Sequence, residues 1–179
     1  MMKEKNIFVA LSTFGKCGTD PIDLLESSDY NFTINPLGRR LVEEEIVEMG
    51  KESHGIIAGV EPYSDEVLGG LGSLEVISRC GVGTDNIAHE TAKKRGIRIC
   101  NTPDVVIQPV AELTIAMILD MLKKLSWHTD RLRSKKWEKQ TGEMLQGKTV
   151  GLIGLGRIGR RVVEMLKGFN VHIIGCDPF

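Results

Sequence analysis

Six residues constrain this chain more than any others: Gly154-Leu155-Gly156-Arg157-Ile158-Gly159, directly after the apolar run Thr149–Ile153. The helical pattern they open carries Ile158, Val162 and Leu166 at every fourth position. Glycines at this spacing, between a buried strand and an amphipathic helix, have a steric logic. Gly154 permits a tight turn, Gly156 lets a diphosphate approach bare backbone, and Gly159 lets helix and strand pack closely. The unpaired N–H groups of the first helical turn, aligned with the helix dipole, then favour the anion. The spacing predicts a strand over 148–153, a helix over 157–167 and a second strand over 171–176, which is one β-α-β unit. Beyond it stands Asp177, 18 residues after Gly159. A carboxylate there accepts hydrogen bonds from an adenosine ribose and repels a 2′-phosphate, which favours NAD over NADP. The cofactor-binding candidates are therefore Gly154, Gly156, Arg157, Ile158, Gly159 and Asp177, with the Arg157 side chain facing solvent or the diphosphate.

Upstream, β-rich runs over 6–11, 30–34, 55–60, 74–80 and 97–100 alternate with helical patterns over 21–27, 40–49, 64–68 and 86–95. Several of the strands are almost continuously apolar, as in a parallel sheet covered by helices on both faces. That alternation predicts an open α/β sheet. In the second helix Leu41, Val42, Ile46 and Met49 form the buried stripe, opposite a solvated face of Glu43, Glu44, Glu45 and Glu48. The turn cluster Asn101-Thr102-Pro103-Asp104 closes the first region, so the chain reads as residues 1–103 followed by 104–179. A helix from about Pro109 is apolar nearly all round between Leu113 and Leu122, which predicts burial between domains or subunits. Trp127, Trp137 and the basic run 131–139 read as an exposed connector.

A second ligand loop is suggested by Arg79-Cys80-Gly81-Val82-Gly83-Thr84-Asp85-Asn86, where a strand gives way to a helix. Its glycines bare backbone N–H groups that can hold a carboxylate. The formal net charge is -1, too balanced for a nucleic-acid or anionic-membrane footprint. Residues 1–5 form no secretion leader, and the apolar stretch 105–119 is interrupted by Gln108, Pro109 and Glu112. The expectation is a cytoplasmic protein. Cys17, Cys80, Cys100 and Cys176 form no C-x-x-C pair, and the last three lie in strand-like runs. They are expected to be small buried hydrophobes. His54, His89, His128 and His172 stand apart, so no metal site is expected and no catalytic residue is assigned in this chain.

The stretches 79–87, Cys100-Asn101-Thr102-Pro103, Val110-Ala111-Glu112-Leu113 and 145–178 together resemble the D-isomer-specific 2-hydroxyacid dehydrogenase family, which includes phosphoglycerate dehydrogenases and glyoxylate/hydroxypyruvate reductases. The resemblance implies a flavodoxin-like substrate domain over 1–103, then an interdomain helix and the start of a Rossmann NAD-binding domain over 104–179. It also implies a small 2-hydroxy or 2-keto acid as substrate, held by backbone groups at Val82 and Gly83. A homodimer is implied through the 109–125 helix region. The arginine, glutamate and histidine of the family's hydride transfer match no position here, so the 179 residues alone are expected to be inactive. Members that act as NAD-sensing corepressors supply the alternative, a binding module of the same fold. Where phosphoglycerate dehydrogenases often carry Arg-Ser after the third strand, this chain reads Gly59-Val60-Glu61-Pro62-Tyr63, and a glutamate there opposes a phosphate. Ala88 replaces a frequent acid after Asp85-Asn86-Ile87, with little consequence expected.

Overall fold

The computed structural model describes residues 5–178, and the chain divides into two compact units, Met1–Pro103 and Asp104–Phe179. The leader expectation for residues 1–5 lies, but for Lys5, outside the described residues.

The first unit runs β1 (Asn6–Val9), α1 (Asp20–Glu26), β2 (Asn31–Ile34), α2 (Glu43–Gly50), β3 (Gly55–Ala58), α3 (Asp65–Gly70), β4 (Val76–Arg79), α4 (His89–Lys94) and β5 (Arg98–Asn101). All pairings are parallel and the sheet order is β2-β1-β3-β4-β5. This is the flavodoxin-like order, whose direction of winding reverses between β1 and β3. Register aligns Phe8, Ile56, Ile77 and Ile99 in one row across β1, β3, β4 and β5. That row packs against Leu41, Ile46, Val67, Leu68 and Leu71 from α2, α3 and their flanks, forming the main core. On the opposite face the row Val9, Ile57, Ser78 and Cys100 passes from buried to exposed towards β5.

Several elements differ from the sequence expectation at their ends. β1 and β3 stop two residues before their expected ends, at Val9 and Ala58, where loops lift off the sheet. The fourth helix starts at His89 because residues 84–87 form a turn, closed by the Ile87 N–H donating to the Thr84 carbonyl (3.0 Å). Val42, assigned to the buried stripe of α2, is instead the exposed residue preceding that helix. Its N–H donates to the Glu45 carboxylate (3.0 Å), which also holds Arg39 at 2.6 Å. These contacts lower the Glu45 pKa to about 2, with the Arg39 hydrogen bond the larger cause and the Val42 N–H next.

The second unit contains α5 (Ile107–Lys123), α6 (Leu125–Arg133), β6 (Thr149–Ile153), α7 (Arg157–Leu166), a 3-10 turn (Lys167–Phe169) and β7 (His172–Cys176). β6 and β7 pair in parallel, Thr149 opposite His172 through Ile153 opposite Cys176. One face of this pair, with Val150, Leu152 and Ile173, packs on Ala111, Ile115, Leu145, Val162 and Leu166. The other face is open: Ile153 is 96% and Ile174 64% exposed. Among the described residues, neither β6 nor β7 is therefore covered on both faces. Helix α5, expected to be apolar all round, buries only Ala111 and Ile115 and leaves Val110, Leu113, Met117 and Met121 exposed in a row. The connector forms α6, where the Arg131 guanidinium lies 5.2 Å from the Trp127 ring centroid, and then runs without regular structure past the exposed Trp137. Among the described residues, no helix is long and apolar enough to cross a membrane.

Candidate functional site

In the first unit the loop after β4 is built to present backbone. Gly81 adopts φ +139°, a conformation that a side chain makes costly, and a Cβ there would lie 1.5 Å from Arg79 Nη1. Thr102 grips the same residue from both sides: the Gly81 N–H donates to Thr102 Oγ1 (2.7 Å) and the Thr102 N–H to the Gly81 carbonyl (2.9 Å). Asn101 Nδ2 donates to the Val82 carbonyl (2.7 Å). Val82 and Gly83 are exposed, and their N–H groups have no hydrogen-bond partner among the described residues. Pinned carbonyls beside free, exposed N–H groups make a nest for an anion.

Arg79, the last residue of β4, lies under this loop. Its Nη1 donates to the Cys80 carbonyl, and its buried Nε has no partner among the described residues. Sequence reasoning did not single Arg79 out. The available signal was a lone arginine ending an apolar strand immediately before the glycine loop.

The neighbouring turn after β3 is tied to this loop by Asn86, whose Nδ2 donates to the carbonyls of Glu61 (2.6 Å) and Gly59 (3.3 Å). Glu61 is only 2% exposed, and its carboxylate accepts the Gly59 N–H at 2.8 Å. Tyr63 is fully buried, with its hydroxyl unpaired among the described residues. Burial, helped by the Glu61 charge, pushes its pKa well above the usual phenol value. A groove of about 250 Å³, lined by Ile7, His54, Ile57, Val76 and Arg98 among others, lies elsewhere on the sheet and shares no residue with these loops.

In the second unit the glycine turn is held by contacts within the chain. Gly154 has φ +93°, and its N–H donates to the Cys176 carbonyl (2.8 Å), joining the ends of β6 and β7. A Cβ on Gly159 would come 2.2 Å from the Gly154 carbonyl oxygen, so helix α7 approaches the turn as closely as backbone allows. Around Gly156 a Cβ would meet nothing within 4 Å, which leaves the mouth of the turn open. The Leu155 N–H donates to the Asp177 carboxylate, and Arg160 Nε donates to the Leu155 carbonyl (2.8 Å). Ile158, whose backbone belongs to the first turn of α7, turns its side chain to the core of this unit. Arg157 Nη1 is 2.9 Å from the Asp104 carboxylate.

One expectation is corrected outright. Cys80, Cys100 and Cys176, read as buried, are all exposed, as is Cys17. Cys80 lies in the open loop after β4. Cys100 and Cys176 occupy outward positions on β5 and β7, where strand alternation turns them from the packed face. No cluster of three metal-ligating side chains occurs among the described residues.

The profile of the D-isomer specific 2-hydroxyacid dehydrogenase catalytic domain matches residues 11–171. The chain belongs to this family. It is 39% identical over 143 residues to a D-3-phosphoglycerate dehydrogenase of Methanocaldococcus jannaschii, a match covering 78% of this chain and 27% of that protein. It is 41% identical over 108 residues to a hydroxypyruvate reductase of Thermotoga maritima, covering 59% of this chain and 35% of that protein. The crystal structure of NAD+-bound 3-phosphoglycerate dehydrogenase from Entamoeba histolytica superposes with a TM-score of 0.79 at 26% identity, over 98% of this chain and 54% of that one. The chain thus spans about a third or less of these curated relatives and about half of that solved structure.

Proposed function

We propose that the protein is an NAD-dependent dehydrogenase of D-2-hydroxy acids, and that these residues supply its substrate-carboxylate loop and the adenosine-diphosphate half of its cofactor grip. The observation that carries the reading is the ligand-ready turn Gly154–Gly159, open at Gly156 and closed from behind by Gly154, Gly159 and Asp177. NAD fits such a turn: Gly156, the first N–H groups of α7, Arg157 and Ile158 would hold its diphosphate, and Asp177 its ribose hydroxyls. When bound, it supplies the acceptor for a hydride from the hydroxy-acid carbon. The N–H groups of Val82 and Gly83, with Arg79 beneath them, orient the substrate by its carboxylate. No acid–base pair is assigned within residues 1–179, so this stretch alone is expected to turn over nothing.

The substrate class follows from the turn after β3. Glu61 already occupies the Gly59 N–H, and its negative charge opposes a second anionic group beyond the 2-hydroxy acid. The substrate is therefore a hydroxy or keto acid without a distal phosphate. The exposed row Val110, Leu113, Met117 and Met121 supports a homodimer through the 109–125 region, since an apolar stripe of this length is ordinarily covered.

Turnover by the full-length protein tests the reading, with glycerate, hydroxypyruvate and 3-phosphoglycerate as the panel and NAD(H) as cofactor. Glycerate and hydroxypyruvate are expected to react. A preference for 3-phosphoglycerate would overturn the role given to Glu61. Nucleotide binding with no turnover of any acid would favour the corepressor-like alternative.

A further inference from the structure

Helices α5 and α7 meet in a fixed register along their polar edges. Asp104 binds Arg157 (2.9 Å), and Gln108, one helical turn later, accepts from Arg161 Nε (2.6 Å). Both pairs are 53 residues apart in sequence, so the segment leading into α5 runs alongside the first turn of α7. Three arginines cluster there with different employment. Arg160 holds the Leu155 carbonyl, and Arg161 is shared between Gln108 and Glu164 (2.7 Å). Arg157, first residue of α7 and directly after Gly156, is held by Asp104 through Nη1.

We infer that Asp104 is a positioning residue for the cofactor's diphosphate: it holds the Arg157 guanidinium beside the glycine turn, so that its remaining N–H donors receive the phosphate oxygens. The inference rests on the cofactor reading above. The pair is 64% and 76% exposed, and exposed ion pairs add little to stability. The consequence of the contact lies instead in where the guanidinium sits. A free arginine surrenders much rotamer freedom on gripping a ligand, and an arginine already tethered surrenders less. The guanidinium has five N–H donors in a planar fork, so engaging Asp104 at Nη1 leaves donors for an anion.

Calorimetry on the full-length protein tests this, with NAD, ADP and adenosine as ligands and thermal midpoints as a folding control. Arg157→Gln is expected to weaken NAD and ADP by about tenfold or more, the loss of a charge-assisted contact, and to leave adenosine unchanged. Asp104→Asn should weaken the same two ligands by about three- to tenfold, Asp104→Glu should restore most of that, and Asp104→Asn should add nothing to Arg157→Gln. Unchanged or tighter ADP binding by Asp104→Asn would overturn the inference, because the carboxylate would then be idle or a competitor. So would a loss that persists in the absence of Arg157. A protein of natural sequence that binds none of the three ligands would overturn the cofactor reading itself, and the inference with it.

Discussion

The two units solve the problem of a parallel sheet to different extents. In Met1–Pro103 four of the five strands carry one apolar row packed against α2, α3 and α4, and the glycine loop follows β4 at the edge of that base. In Asp104–Phe179 two strands carry one packed face and one bare face, with Ile153 and Ile174 in the open. Yet the glycine turn there is fully formed, because local contacts hold it: Gly154 to Cys176, Gly159 against Gly154, Leu155 to Asp177. A ligand turn depends on the ends of its own two strands. Sheet stability depends on the number of layers and strands available to bury apolar surface.

The sharpest way to break that contrast is to damage each core separately. Ile77 in the first unit and Leu166 in the second are both fully buried, so Ile77→Ala and Leu166→Ala should each cost ~2–5 kcal/mol. Both tryptophans, Trp127 and Trp137, belong to the second unit. Tryptophan emission during denaturant unfolding should therefore shift strongly in Leu166→Ala and hardly in Ile77→Ala, with far-ultraviolet circular dichroism reporting both. Equal shifts in emission would mean that the units unfold as one.

Next in size is Gly159→Ala. Its methyl group would stand 2.2 Å from a backbone oxygen, which forces the helix off the turn at a cost of ~1–3 kcal/mol. The emission midpoint should fall, with the dichroism of the first unit unaffected. Gly156→Ala sharpens the point in the other direction. Its Cβ meets open space at φ −64°, so stability should stay within ~0.5 kcal/mol while ADP affinity in calorimetry drops severalfold or more. Loss of stability as large as in Gly159→Ala would show that the turn needs this glycine for itself.

The smallest effect belongs to the first unit. The folded-state pKa of Glu45, about 2, lies below the ordinary glutamate value of 4.5. Its contribution is therefore complete above pH 4.5 and is lost as pH falls from there towards 2. Glu45→Gln should flatten the acid side of a stability–pH profile in that window and leave the profile at pH 7 parallel to the natural protein's. An unchanged acid slope would show that the Arg39 contact does not persist in solution.

Much of the fold was legible because its signals are local. Strand and helix alternation located β1 to β7, and the two compact units divide within Asn101-Thr102-Pro103-Asp104. The glycine turn was legible because its residues stand together in the chain and each has a steric reason. Errors came where the outcome depends on what lies opposite. Cys100 and Cys176 sit in apolar runs, but alternation sends each to a face without cover. Val42 has the period of the α2 stripe but stands one residue before the helix. Arg79 and Asp104 were passed over because their significance comes from partners distant in sequence or across a loop.

By itself the sequence determined the order of elements, the parallel α/β class, the position of the glycine turn and the family. These follow from steric rules that act over a few residues. Only the tertiary structure decided that Glu61 is buried against Gly59, that Arg79 underlies Gly81, and that Asp104 holds Arg157. Asp104 and Arg157 meet across 53 residues, while Glu61 and Arg79 meet residues two positions away in turns whose backbone the surrounding fold sets, and periodicity within one segment records neither.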